Sequence, residues 1–268
     1  MKKTLFWIIA VLITIAAAMY QRMTGPTYPV KASVAIEGTE YDISLKRSQT
    51  NTHPCTISLE IPGAVTGKIY YRRFRMDKEW TASDMHRDGN NLLGELPSQP
   101  AAGKLEYFIT LTTPSGSEIP IKRDEPVLIR FKGDVPAFVM IPHILIMFLA
   151  MLLSNLAGLT AAFGRSEQRR QGRWALWLLL AGGMILGPLV QKYAFGELWT
   201  GVPFGWDLTD NKTLIAIIGW ILAVVMNRKR ERPAYTIAAA ILLLLVYSIP
   251  HSLFGSQLDY ATGTVTQG

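Results

Sequence analysis

Residues 135–163 read VPAFVMIPHILIMFLAMLLSNLAGLTAAF, and this stretch decides the fold class. It contains no Asp, Glu, Lys or Arg. A helix needs about 20 mostly apolar residues to cross the hydrocarbon core of a bilayer. Within lipid, a segment must also satisfy its own backbone hydrogen bonds, which a helix does and an isolated strand does not. The stretch therefore predicts a membrane-spanning helix.

Four further apolar runs flank this stretch, at residues 5–20, 174–190, 213–226 and 234–249. Each reaches spanning length once its small or amphipathic neighbours are included. We expect an integral membrane protein with an N-terminal transmembrane helix and a C-terminal bundle of four transmembrane helices. Residues 1–23 are either an anchor or a signal peptide, because Lys2 and Lys3 precede the run and three alanines end it. An uncleaved anchor is favoured.

The net charge of +7 is concentrated next to the apolar runs. The region 22–134 is nearly neutral, and the excess of Lys and Arg lies in residues 2–3, 165–173 and 228–232. All three places fall on one side if every run crosses the membrane once, and this is the positive-inside pattern. It predicts a bacterial cytoplasmic membrane, with the N-terminus inside and both residues 24–134 and the C-terminus outside. The pattern favours the lipid bilayer over nucleic acid as the partner of the basic residues.

Residues 24–134 predict an extracytoplasmic all-β sandwich. Short stretches rich in β-branched and aromatic residues alternate with turn signals, as is typical of such domains. The predicted strands are 28–36, 41–47, 56–61, 67–75, 80–85, 92–96, 105–112 and 127–131. Cys55 is the single cysteine, which excludes an intrachain disulfide. Residues 135–254 would then form the four transmembrane helices, and 255–268 an extracytoplasmic tail.

One part of this domain resembles a known family. Residues 94–109, GELPSQPAAGKLEYFI, resemble a recurring pattern of bacterial immunoglobulin-like and fibronectin-type-III-like modules, in which a Gly-containing turn precedes an aromatic strand. Residues 69–72, followed by Met76, resemble the preceding strand pair of those modules. The resemblance implies an immunoglobulin-like scaffold, and such scaffolds carry many functions. Arg72, Arg73 and Arg75 either bind an acidic partner or form a solvated face.

The tripeptide Ile-Pro-His occurs twice, ending at His143 and at His251. On the expected topology, both histidines lie near the outer ends of their spans. An ionisable residue at membrane depth is a functional candidate, and two histidines can ligate a haem iron or another metal, or relay protons. Alternatively, His143 bonds the carbonyl that Pro142 frees in its own helix, and His251 is a helix-end residue at the interface.

The stretch 191–212, QKYAFGELWTGVPFGWDLTDNK, is rich in aromatic residues, glycine and carboxylates. Through Gly205-Trp206-Asp207 it resembles the tryptophan-rich segment of membrane haem-handling proteins of cytochrome c maturation, which implies Trp206 and Asp207 as cofactor-binding residues. A polar outer-face site is a second hypothesis, with the candidates Lys192, Glu197, Asp210 and Lys212. The alternative is an interfacial aromatic belt with Thr209 or Asp210 as the helix cap.

The sequence contains no phosphate loop, nucleophile elbow, HExxH motif or cysteine pair. We therefore expect a non-catalytic accessory, assembly or partner-binding subunit that associates with other membrane or envelope proteins. The alternative is a haem- or metal-binding membrane redox or haem-handling subunit that uses His143 and His251. The metal and the cofactor, haem included, stay open at this point.

Overall fold

The computed structural model describes residues 3–61, 63–251 and 255–267. These residues fall into two compact units. The helical unit is built from Met1–Pro26 and Val135–Gly255. The β unit is built from Thr27–Asp134 together with the C-terminal segment Ser256–Thr266.

In the described residues of the helical unit there are six α-helices and one π-helical segment. They are α1 Lys3–Thr24, α2 Ala137–Ala162, α3 Gln168–Leu179, the π-helical segment Leu180–Leu186, α4 Gly187–Phe195, α5 Leu208–Met226 and α6 Pro233–Ser248. Among the described residues, four helices are long and apolar enough to cross a membrane, with α3 to α4 counted as one continuous helix. The fifth predicted span, α6, has 16 residues. At 1.5 Å per residue it measures about 24 Å, which is shorter than the roughly 30 Å hydrocarbon core.

Many large apolar side chains of these helices point outward, while the buried positions include small and polar side chains. Phe138, Trp177 and Leu245 are 75%, 64% and 62% exposed, whereas Ala150 and Ser154 of α2 are fully buried. Small residues at such positions allow helix backbones to approach closely.

The β unit contains thirteen strands among the described residues. They are β1 Val30–Ile36, β2 Thr39–Leu45, β3 Ser48–Thr50, β4 Cys55–Glu60, β5 Thr66–Arg73, β6 Thr81–Asp84, β7 His86–Asp88, β8 Asn91–Leu96, β9 Lys104–Thr112, β10 Glu118–Ile121, β11 Val127–Lys132, β12 Ser256–Leu258 and β13 Val265–Gln267. All eight predicted strands are present, with shifted ends. The five additional strands have three or four residues each, which is too short for a periodic hydrophobic pattern to identify.

Several sheets build this unit around one core. The largest has the order β3-β11-β9-β5-β6, with β10 paired to β9, and a second has the order β4-β8-β7. The pairs β1-β2 and β12-β13 are separate hairpins. A single buried cluster contains Ile57 of β4, Leu92 of β8, Ile69 of β5 and Ile109 of β9, so the two larger sheets share one hydrophobic core.

Candidate functional site

Two chemically different ends can be recognised in the helical unit. Lys3 forms an ion pair of 2.9 Å with Glu167. Arg169 donates from Nε to the carbonyl oxygen of Asn227 at 2.7 Å, and from its guanidinium to that of Arg228 at 2.7 Å. These contacts bring the start of α1, the α2–α3 loop and the α5–α6 loop to the same end, here called the basic end. The opposite end, where α5 begins and α6 ends, is called the polar end.

At the polar end, α5 begins with a side-chain cap. Asp207 is the N-cap residue, and its Oδ1 accepts hydrogen bonds from the backbone N–H groups of Thr209 at 2.8 Å and Asp210 at 3.3 Å. A carboxylate at this place satisfies orphan donors and meets the positive end of the helix dipole. The prediction that Thr209 or Asp210 would cap this helix is wrong, because their own amides are donors to Asp207.

Asp210 ties the preceding loop to the first turn of α5. Its Oδ2 accepts from the backbone N–H groups of Thr200 at 2.6 Å and Gly201 at 3.0 Å. Gln191 of α4 donates to the hydroxyl of Thr200 at 2.6 Å. The Asp210 side chain is only slightly exposed, and hydrogen bonds to a charged acceptor are stronger than neutral ones. The loop is therefore held at both sides.

Lys212 joins the start of α5 to the end of α6. The residue is 5% exposed, and its ammonium donates to the carbonyl oxygen of Ile249, the C-cap of α6, at 2.6 Å. A cation at a helix C-terminus meets the negative end of the helix dipole and satisfies a carbonyl that has no partner within the helix. Lys212 also lies close enough to Asp207 for the two charges to interact.

Gln21 of α1 bridges to the end of α6. Its amide nitrogen lies 2.7 Å from the carbonyl oxygen of Tyr247 and 2.8 Å from Nδ1 of His251. A carbonyl oxygen can only accept, so the amide group must point its NH2 toward both partners. Nδ1 of His251 is then an acceptor, and the ring proton lies on Nε2.

His143 of α2 contacts the π-helical segment. Its Nδ1 lies 3.0 Å from the carbonyl oxygen of Gly182, so the ring donates from Nδ1. The same carbonyl accepts from the backbone N–H of Gly187, five residues further on. The alternative in which His143 bonds the carbonyl freed by Pro142 is therefore not the arrangement found. The Nε2 atom of His143 then carries no proton, and its lone pair points away from the bond to Gly182.

These hydrogen bonds give the two histidines opposite tautomers. A metal-bound histidine ligates through one nitrogen while the other donates to a carbonyl or carboxylate. His143 has this arrangement, with Nε2 as the ligating atom. His251 does not have this arrangement, since its proton lies on Nε2. A haem site with two histidine ligands would therefore require the hydrogen bond between Gln21 and His251 to break. Among the described residues, no group of three or more His, Cys, Asp and Glu side chains is placed to hold a metal ion.

The structure brings together part of the predicted site. Asp207, Asp210, Lys212 and His251 all make contacts at the polar end. Lys192 and Glu197 are exposed, and Trp206 is 73% exposed. Three residues of the network were not predicted: Gln21, Gln191 and Thr200. Each is a polar residue at or near a helix end, a position that occurs in every protein and so gives no specific signal.

A second candidate site, made of arginine and aromatic side chains, lies on the β unit at the β5–β6 connection. The guanidinium carbon of Arg72 lies 4.3 Å from the ring centroid of Trp80, and its Nε donates to Glu106 at 2.8 Å. The Trp80 ring meets Phe108 edge-on at 4.8 Å, and Phe108 stacks on Tyr70 at 4.6 Å. Stacking and the carboxylate hold the guanidinium in one orientation.

Arg73 follows Arg72 in β5, so its side chain lies on the opposite face of the strand. Its guanidinium donates to Asp77 at 2.8 Å, within the same connection. The hydrogen bond to Arg73 holds the pKa of Asp77 below its usual value, and the same bond raises the pKa of Arg73. The ring of Tyr260, from the C-terminal segment, lies 5.6 Å from the Arg73 guanidinium carbon.

The C-terminal segment is fixed to the β unit by polar contacts. The backbone N–H of Leu258 donates to the carbonyl of Ala102 at 3.0 Å, and the backbone N–H of Lys104 donates to the hydroxyl of Tyr260 at 3.0 Å. The Lys104 ammonium donates to Gln257 at 3.1 Å. Burial, and then the positive charges of Arg130 and Arg75, lower the pKa of Lys104 to about 8. Burial raises the pKa of Tyr260 to about 12.

Comparison with models of protein families and with curated proteins gives no match to this chain.

Proposed function

We propose that this chain is a multi-pass protein of a bacterial cytoplasmic membrane that presents an immunoglobulin-like β-sandwich outside the cytosol. The sandwich would dock a second membrane or envelope protein, and the helices would anchor it. The chain would act as a non-catalytic assembly or accessory subunit. The observation that carries the proposal is the ordered cation–aromatic surface of the β5–β6 connection.

The helical unit supports the membrane part of the proposal. Its outward face is apolar, which is stable in lipid and costly in water. The three basic segments lie at one end, which is the arrangement that the positive-inside pattern requires. Along the chain, the β unit comes after the C-terminal end of α1 and before the N-terminal end of α2. Both of these helix ends are the ones opposite the basic segments. A cytosolic basic end thus leaves the β unit on the other side of the membrane.

Strand order supports the immunoglobulin-like part. In that fold, two sheets face each other, and one of them has three neighbouring strands. In the other sheet, with strands numbered along the chain, the second strand pairs with the fifth and the fifth pairs with the fourth. Here β5, β9 and β11 are neighbours in one sheet, while β8 lies between β4 and β7 in the other. The order agrees with the resemblance of residues 94–109 to such modules, since these residues contain the turn before β9.

The surface at the β5–β6 connection has the composition of a protein-binding hot spot. Arg, Trp and Tyr dominate the binding energy of protein interfaces, because they offer large, rigid contact areas with polar tips. Arg75 and Met76 are exposed beside them. Arg75 adopts a φ of 59°, a conformation that is unfavourable for a residue with a Cβ and that is often retained at functional sites. Its charge predicts an acidic side chain on the partner.

Affinity purification of the tagged full-length protein from native membranes, after light cross-linking, tests this proposal. We expect one partner protein in a near-constant ratio. Arg75→Glu should lower its recovery about tenfold or more, since loss of a hot-spot contact costs more than about 1.4 kcal/mol. Lys31→Glu, which makes the same charge change at an exposed position of β1, should leave it unchanged. Equal recovery by the two variants would contradict the proposal.

A haem- or metal-binding subunit is a second candidate, favoured by the Nε2 of His143. No hydrogen bond to this atom is found in the part of the chain that the structure describes. The absorption spectrum of the detergent-purified protein, with and without dithionite, tests this candidate. A Soret band that disappears in His143→Ala and persists in His53→Ala would support it. A colourless, metal-free preparation would remove it.

A further inference from the structure

A cavity of about 320 Å³ opens at the basic end, between α3, α5 and the start of α6. Its walls combine cationic and apolar residues. Arg173 and Arg228 stand at the rim, while Ala223 and Val224 form part of the apolar wall. This volume lies within the roughly 300–1,000 Å³ that small-molecule sites occupy.

Two buried polar groups in this wall have no partner. The indole Nε1 of Trp220 and the amide Oε1 of Gln168 are buried and accept or donate no hydrogen bond among the described residues. The residues are 1% and 2% exposed. An unsatisfied buried polar group costs about 1–3 kcal/mol, so both atoms are expected to meet a partner that fills the cavity.

Packing fixes the indole in this wall. A Cβ added at Gly172 would lie 2.7 Å from the Trp220 ring, so an edge of the ring packs against α3 where the glycine leaves room for it. Trp220 is six residues from Met226, the last residue of α5. At 1.5 Å per residue, its depth is roughly 9 Å below the helix end.

The two rim arginines are available for an anion. Arg173 and Arg228 are both exposed, and within the described ranges no ion pair involves either of them. Arg169 is already used, because it donates to the carbonyl oxygens at the end of α5. Basic pockets between transmembrane helices on the cytoplasmic side are suited to lipid head groups.

We propose that this cavity binds the phosphodiester head group of an anionic phospholipid, with a glycerol head group as the best chemical fit. Arg173 and Arg228 pair with the phosphate. The indole N–H of Trp220 donates to a phosphate or ester oxygen, and a head-group hydroxyl donates to Gln168. The apolar wall contacts the glyceride stem. A zwitterionic choline lipid lacks both the net charge and the hydroxyl donor.

The indole N–H resonance of Trp220 reports directly on this site. The chain has seven tryptophans, and Trp220→Phe assigns the relevant signal in the full-length protein labelled with ¹⁵N-indole. In phosphatidylcholine bicelles, stepwise addition of phosphatidylglycerol should shift this signal to saturation. Inorganic phosphate in the same bicelles should not. A shift with inorganic phosphate alone would assign the site to a free anion and overturn the lipid proposal, as would no shift with either.

Matched variants separate the cavity from general surface charge. Arg173→Gln with Arg228→Gln should weaken phosphatidylglycerol binding, read from the same resonance, about tenfold or more, because hydrogen bonds to charged groups contribute about 1.5–3 kcal/mol. Lys229→Gln with Arg230→Gln removes two charges from the α5–α6 loop outside this cavity and should have little effect. Equal weakening by both pairs would overturn the proposal.

Discussion

The ammonium of Lys104 lies beneath the C-terminal segment of the β unit, where burial lowers its pKa to about 8. An ordinary lysine titrates at about 10.4. Lysine ¹³Cε NMR of the full-length protein in detergent should therefore show a midpoint near 8 that disappears in Lys104→Met. Arg75→Gln should raise this midpoint slightly, because the charge of Arg75 is a smaller cause than burial. A Lys104 midpoint above 10 would contradict the burial.

The sign of the stability effect follows from this pKa. Because the folded-state pKa is below that of the unfolded chain, the unfolded state binds more protons between about pH 8 and pH 10.5. The contribution of Lys104 to the stability of the β unit should therefore rise with pH across this window, and it opposes the contributions of Cys55 and Tyr260, whose pKa values burial raises. In Lys104→Met this contribution should be missing, so its unfolding temperature should change less favourably between pH 7.5 and pH 9.5 than that of the unsubstituted full-length protein. An equal change in both proteins over this interval would contradict the account.

The carboxylate of Asp210 should control the order of the loop before α5. It accepts the backbone N–H groups of Thr200 and Gly201. In Asp210→Ala, hydrogen exchange of these amides should become about 10- to 100-fold faster, since bonds to a charged acceptor contribute about 1.5–3 kcal/mol. Glu197→Ala removes an exposed carboxylate from the same loop and serves as the control. Unchanged exchange in Asp210→Ala would show that the loop is ordered by other contacts.

At the scale of helices, a glycine allows α2 and α6 to approach closely. A Cβ at Gly158 would lie 2.7 Å from the Cβ of Ala240, and neither atom can move by rotating a side chain. Gly158→Ala should destabilise the helical unit by about 1–3 kcal/mol through overpacking, measured as a lower midpoint of unfolding in SDS. A Cβ at Gly187 meets its nearest atom at an ordinary 3.4 Å, so Gly187→Ala should change the midpoint little.

The hydrophobic pattern was sufficient to identify elements but not their irregular features. Long apolar runs and alternating strands predicted the helices α1 to α6, although α6 is shorter than expected, and eight of the strands, because these patterns follow from burial in lipid or in a sheet. The π-helical segment Leu180–Leu186 could not be predicted, since a change from i→i+4 to i→i+5 hydrogen bonds leaves no mark in the composition. The strands at Ser256–Leu258 and Val265–Gln267 were missed for their length.

The candidate site was predicted in composition but not in connectivity. The Ile-Pro-His repeat and the polar loop placed His143, His251, Asp207, Asp210 and Lys212 near one end of the helices. Their partners depend on which helices are neighbours, and this is a tertiary property that a single sequence does not contain. The bonds that decide the histidine tautomers come from a carbonyl and from an amide on other helices.

The molecule as a whole has a chemical polarity along its helices. One end contains the basic segments and the cavity lined by Arg173 and Arg228. The other end contains the start of α5, which is capped by Asp207 and is rich in carboxylates. In a membrane with an excess of anionic lipid in the cytoplasmic leaflet, the two ends are not interchangeable. The orientation therefore determines both proposed activities: lipid binding at the cytosolic end and docking of a partner by the β unit outside.

Cysteine accessibility measures this orientation most directly. Cys55 is fully buried, and burial raises the pKa of its thiol, so it should not react with a membrane-impermeant maleimide. Ser115→Cys, in the β unit, should react in intact spheroplasts, whereas Ser166→Cys, in the α2–α3 loop, should react only after permeabilisation. The reverse pattern, with Ser166→Cys labelled in intact spheroplasts and Ser115→Cys protected, would contradict the account.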